Sequence, residues 1–163
     1  EDSLTVRWAG MPQVASLVLK DSEGCGITTV GLEALTHLIS LRLHYGSGQS
    51  GLEPYGSLLA AAPPSLRRLS ITGVRNDWSR PPPLHHLTQL TCLECVSMNL
   101  IPHLATLQQL RSLAIFLGSA ANLTLRHLGC LTDMTGLQRL RFGQSIPPSL
   151  GPVERRRRLQ VGL

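Results

Sequence analysis

Leu32 to Leu43 reads L-E-A-L-T-H-L-I-S-L-R-L. Leucine recurs there at every third position, at Leu32, Leu35, Leu38 and Leu41, and then steps by two to Leu43. A helix repeats its buried side about every 3.6 residues and a strand every two, so neither alone sustains this spacing. The stretch is a motif, and it returns. The same frame fits Trp8, Met11, Val14, Leu17 and Leu19, and it fits Leu66, Leu69 and Ile71 behind the looser Ala60 and Pro63. It fits again at Leu84, Leu87, Leu90, Leu93 and Cys95, at Leu104, Leu107, Leu110, Leu113 and Ile115, and at Leu131, Met134, Leu137, Leu140 and Phe142.

From Leu19 through Leu43, Ile71, Cys95 and Ile115 to Phe142, successive copies are spaced by about 20 to about 28 residues, the range of leucine-rich repeats. Over Trp8 to Leu150 the chain resembles a leucine-rich-repeat protein. The resemblance implies an α/β solenoid of about six repeats, with a curved parallel β-sheet on the concave side and loops and short helices on the convex side. Strands are expected at Ser16–Leu19, Ser40–Leu43, Arg67–Ile71, around Cys92 and Cys95, at Arg111–Ile115 and at Gln138–Phe142. The family's asparagine ladder is missing, because the places where it is expected hold Ser22, Gly46, Val74, Met98, Gly118 and Ser145. That departure suits irregular intracellular arrays. Residues 1–151 are expected to form the array, with Leu4, Val6 and Trp8 covering its first apolar end, and 152–163 a loosely ordered basic tail.

The composition agrees with stacked, similar layers. Of the 163 residues, 42% are apolar but only 4% are aromatic, so leucine carries the core. The formal charge is +5, and it falls to about +1 once the four arginines at Arg155–Arg158 are set aside. That run reads as the solvated end of a stack. No apolar run approaches the ~20 residues of a membrane-spanning helix. The chain begins with Glu1 and no apolar leader follows, so a fragment or a processed form is expected. Four cysteines, Cys25, Cys92, Cys95 and Cys130, do not cluster as the disulfide end-caps of extracellular arrays do. A reducing compartment is expected, the cytoplasm first, with the nucleus or the ciliary axoneme as alternatives.

Motifs for catalysis or cofactors do not hold up. Gly46-Ser-Gly-Gln-Ser-Gly51 spells a dinucleotide-type glycine pattern, but Pro54 and Gly56 are expected to delay the helix that such a site needs at its end. Cys92 and Cys95 form a C-x-x-C inside an expected strand, where residues three apart face opposite sides and their sulfurs diverge from a shared metal. His85 and His86 lie upstream in the arch. No nucleophile elbow, zinc-protease motif or phosphate-loop lysine is present, so no enzyme, no metal and no cofactor is expected.

The frame does define a surface. With the leucines of each strand inward, the intervening residues project to the open side of the sheet. One column holds Ser16, Ser40, Arg68, Cys92, Ser112 and Arg139, and the next holds Val18, Arg42, Ser70, Glu94, Ala114 and Arg141. Lys20, His44, Tyr45, Arg67, Arg111 and Phe116 flank them. The partner-binding candidates are Arg42, His44, Tyr45, Arg67, Arg68, Glu94, Arg111, Phe116, Arg139 and Arg141. Guanidinium forks favour carboxylate or phosphate, and Tyr45 and Phe116 offer apolar anchors. The expected partner is an acidic or phosphorylated protein. Nucleic acid is not expected, since aromatics are not interleaved with the arginines. Within the resembled family, such arrays serve as substrate-recognition arms of F-box ubiquitin-ligase subunits and as axonemal or cytoskeletal scaffolds. The alternative is a receptor-like or defence-type ectodomain, suggested by the sequon at Asn122 and by the I-P-P-S-L-G stretch Ile146–Gly151.

Overall fold

A hydrogen-bond pattern explains the three-residue spacing. In a computed structural model describing residues 4–8, 11–21, 27–45, 53–72, 83–95, 98–117, 125–144 and 158–162, the Leu35 amide donates to the Leu32 carbonyl and the Leu38 amide to that of Leu35. The same bonds join Leu87 to Leu84, Leu90 to Leu87, Leu107 to Leu104, Leu110 to Leu107, Met134 to Leu131 and Leu137 to Met134. Turns closed this way take about three residues each, so every third side chain falls on one side. A second set of bonds then changes the period. Two consecutive amides, Arg67 and Arg68, donate to the Ile39 carbonyl of the preceding copy, as do Thr91 and Cys92 to Arg67 and Arg111 and Ser112 to Thr91. That bridge pulls the chain extended and starts each strand.

The elements, in order, are β1 (Leu4–Arg7), β2 (Ser16–Asp21), β3 (Ile27–Val30), β4 (Ser40–Tyr45), α1 (Glu53–Ala60), β5 (Arg68–Thr72), β6 (Cys92–Cys95), β7 (Ser112–Leu117), α2 (Leu125–Thr132), β8 (Arg139–Gln144) and β9 (Arg158–Gly162). Short 3₁₀ segments lie at Leu32–Ala34 and Met98–Thr106. Strands β2, β4, β5, β6, β7 and β8 run parallel, in that order, within one seven-stranded sheet that β9 completes antiparallel to β8. The register places Leu17, Leu41, Leu69, Leu93, Leu113 and Leu140 side by side. A slip of one residue would turn every leucine outward, so burial of one side holds the pairing.

These strand leucines meet a second layer made by the turns and helices. Leu32, Leu35, Leu38, Leu59, Leu87, Leu90 and Leu104 are fully buried there, in one continuous core with Leu41, Leu93 and Ile115. Each such leucine contributes about 1.5–3 kcal/mol by leaving water. The result is α/β in class.

Several expectations change. Strands β5, β7 and β8 start one residue later than expected, because Arg67, Arg111 and Gln138 are still in the bridging step. Pro54 does not delay α1, which begins at Glu53; a proline in the first turn loses only an amide that would have had no helical partner. Because α1 replaces the turn, its helical period buries Leu58 and Leu59 and leaves Ala60 exposed. Met11 stands 53% exposed; it precedes β2, an edge strand of the sheet among the described residues. Leu4–Arg7 and Ile27–Val30 were not expected as strands, yet β1 and β3 pair parallel as a separate two-stranded sheet. The tail, expected to be loose, carries β9 at Arg158–Gly162.

Candidate protein-binding face

Alternation along each strand produces the face. In β5 the burial runs exposed at Arg68, buried at Leu69, half-buried at Ser70 and buried at Ile71; in β6, Cys92 and Glu94 are half-buried beside buried Leu93 and Cys95. The outward columns are thus in register across the sheet. Arg42 pairs with Ser70, Ser70 with Glu94, Glu94 with Ala114, and Ala114 with Arg141. Ser40, Arg68, Cys92, Ser112 and Arg139 form the adjoining column in the same way.

The candidate residues fall into three positions. Arg42, Arg68, Arg139 and Arg141 lie in the two outward columns, Arg42, Arg68 and Arg139 exposed and Arg141 half-buried. Arg67 and Arg111 are exposed too, but they stand at the rim where strands begin. His44 and Phe116 belong to the column beyond Arg42 and Arg141. Tyr45 ends β4, and its side chain lies outside the described residues.

Local contacts refine their roles. Glu94 accepts a hydrogen bond from the Ser70 hydroxyl at 2.9 Å, which holds its carboxylate across the β5–β6 pair. His44 Nδ1 lies 3.0 Å from Thr72 Oγ1, tying β4 to β5 on the same side. Phe116 is half-buried, and its ring lies against Gly143 of β8: a Cβ built on Gly143 would meet ring atoms at 2.9 and 3.0 Å. The Phe116 ring therefore rests on the neighbouring strand instead of projecting freely into solvent. Gly143, Ser70 and Thr72 are the supporting residues that strand alternation alone does not reveal, since each acts through a cross-strand contact.

The charge layout is sharper than a uniform basic surface. Arg42 and Arg68 are diagonal neighbours on β4 and β5, while Arg139 and Arg141 share β8. Between them, β6 and β7 present Cys92, Glu94, Ser112 and Ala114. The middle of the face is low and slightly acidic, and the cations stand at its two sides. Among the described residues, none of these four arginines has an ion-pair partner.

Elsewhere the motifs separate. Cys92 is on the outward side and half-buried, whereas Cys95 is 1% exposed in the core, so the two sulfurs diverge. His86 Nε2 is 3.2 Å from the Ala62 carbonyl, in the turn layer. Gly46–Gly51, Asn122 and Ile146–Gly151 lie outside the described residues. No helix among the described residues is long and apolar enough to cross a membrane. Set against known proteins, the chain matches no family model and no curated sequence.

Proposed function

We propose that the chain is a leucine-rich-repeat solenoid acting as a non-catalytic protein-binding module, with an acidic or phosphorylated partner on its concave face. The observation that carries this reading is the in-register side of the sheet, where Arg42, Arg68, Arg139 and Arg141 stand without an ion-pair partner among the described residues. Guanidinium forks on an open face suit carboxylate or phosphate, which each can engage by two bonds at once. The repeated turn-and-strand unit supports the family reading, because each layer buries its leucines against the next and leaves the outward columns outside the core. A substrate-recognition arm of an F-box ubiquitin-ligase subunit, or an axonemal or cytoskeletal scaffold, would use such a face. Cys92 and Cys130 are free thiols, which suits a cytoplasmic or other reducing compartment.

The test is affinity purification of the full-length protein beside a variant carrying Arg42→Glu, Arg68→Glu, Arg139→Glu and Arg141→Glu, with a thermal melt showing that the variant still folds. A partner recovered by the native protein and lost by the folded variant is the expected result. A partner that survives the charge reversal would remove the concave face from the account and move binding to the turns or the arginine tail.

A further inference from the structure

Two arginine pairs on one face of the sheet, at β4–β5 and at β8, with a shallow stretch between them, impose a spacing on whatever they hold. Arg68 and Arg139 lie three strand steps apart, from β5 to β8, and Arg42 and Arg141 lie four, from β4 to β8. At ~4.8 Å per step the pairs stand ~14–19 Å apart. An extended peptide advances ~3.3 Å per residue, so it covers that distance in about four to six residues. The floor it would cross is made of Ser70, Cys92, Ser112 and Ala114, side chains small enough for a backbone to approach, with Glu94 near the midpoint.

The charge count then selects the anchoring group. Each arginine pair presents two positive charges. A carboxylate carries one negative charge and satisfies one fork, whereas a phosphomonoester carries about −1.5 to −2 and has three acceptor oxygens. Glu94, held by Ser70 at 2.9 Å, repels an acid placed between the anchors and accepts a neutral or basic residue.

Building on the acidic-partner reading above, we infer that the face binds an extended protein segment bearing two phosphorylated residues about five positions apart, one on each arginine pair, with no acid midway. The segment runs across the strands. Arg67 and Arg111, at the rim, add long-range attraction without fixing the spacing.

The experiment is fluorescence anisotropy on the full chain with labelled Gly/Ser host peptides carrying phosphoserines five apart, phosphoserines two apart, a single phosphoserine, glutamates five apart, or none. The five-apart phosphopeptide should bind at least about tenfold tighter than the two-apart and single phosphopeptides, because two linked anchors act together when their separation fits. The glutamate version should be weaker, and the unmodified peptide should not bind. Arg42→Gln with Arg68→Gln, and separately Arg139→Gln with Arg141→Gln, should each reduce the five-apart peptide to the affinity of the single one, with unchanged melting. Glu94→Gln should improve binding of a five-apart peptide that also carries a central aspartate. Equal affinity for two-apart and five-apart peptides would overturn the spacing while leaving an acidic partner in place. Equal affinity for the glutamate version would overturn the choice of phosphate. If no phosphorylated or acidic peptide binds better than the unmodified one, the acidic-partner reading itself fails.

Discussion

The middle of the sheet and its two ends come from one leucine frame but do not end equally buried. In the middle, Leu41, Leu93 and Ile115 are 0% exposed, whereas Leu17 and Leu19 in β2 retain 9% and 8%, and Leu131, Met134 and Leu137 of the last copy retain 8–9%. The same residue type in the same place of the repeat thus receives different protection. Neighbours on both sides make the difference: β4 to β7 are each flanked by a parallel copy, while β2 has one and β8 has β9 in place of another copy. Under the proposed solenoid reading, stability is a sum of layer and interface terms, so an end layer has one interface term fewer.

Substitutions sharpen this contrast. Leu93→Ala removes a side chain between Leu69 and Leu113 that no relaxation of the chain end can refill, and it should cost about 3–4 kcal/mol in urea denaturation. Leu19→Ala, at the edge strand, should cost about 2 kcal/mol. Equal losses at the two sites would break the comparison. Next comes Gly31, which holds φ 84° at the start of the Leu32–Ala34 turn; Gly31→Ala forces a side chain into the left-handed region and should cost about 1 kcal/mol. Smallest of all, Met11→Gln replaces a side chain already 53% exposed and should shift stability by no more than about 0.5 kcal/mol. A larger loss there would mean that the first copy is capped more completely than its burial indicates.

Much of this was legible in the residues themselves. The frame placed five of the six parallel strands to within a residue at their starts and the other around Cys92 and Cys95, because the step from three-residue to two-residue spacing is written in the leucines. Alternation then named the outward columns, including Arg42, Arg68, Glu94, Arg139 and Arg141. What stayed hidden follows other rules. Strands β1 and β3 lie outside the frame, although the β-branched run Ile27-Thr-Thr-Val30 carries a strand signal of its own. Helix α1 carries a weak signal because Pro54 breaks a helix interior but is tolerated in the first turn, where it stands. Strand β9 begins on the last residue of the arginine run, Arg158, and its only alternating signal is Leu159 and Val161, two apart. The ring of Phe116 on Gly143 joins residues 27 positions apart, and only the register brings them together.

Native-state hydrogen exchange across the strand ladder separates the middle layers from the end layers, because it reports each layer's stability within one folded protein. Amides of β4, β5, β6 and β7 should open with the highest free energies, those of β2 and β8 with less, and β9 should exchange first. Exchange that is fastest in β6, or a middle of the sheet no better protected than β2, would contradict a stack held together by leucine layers with neighbours on both sides.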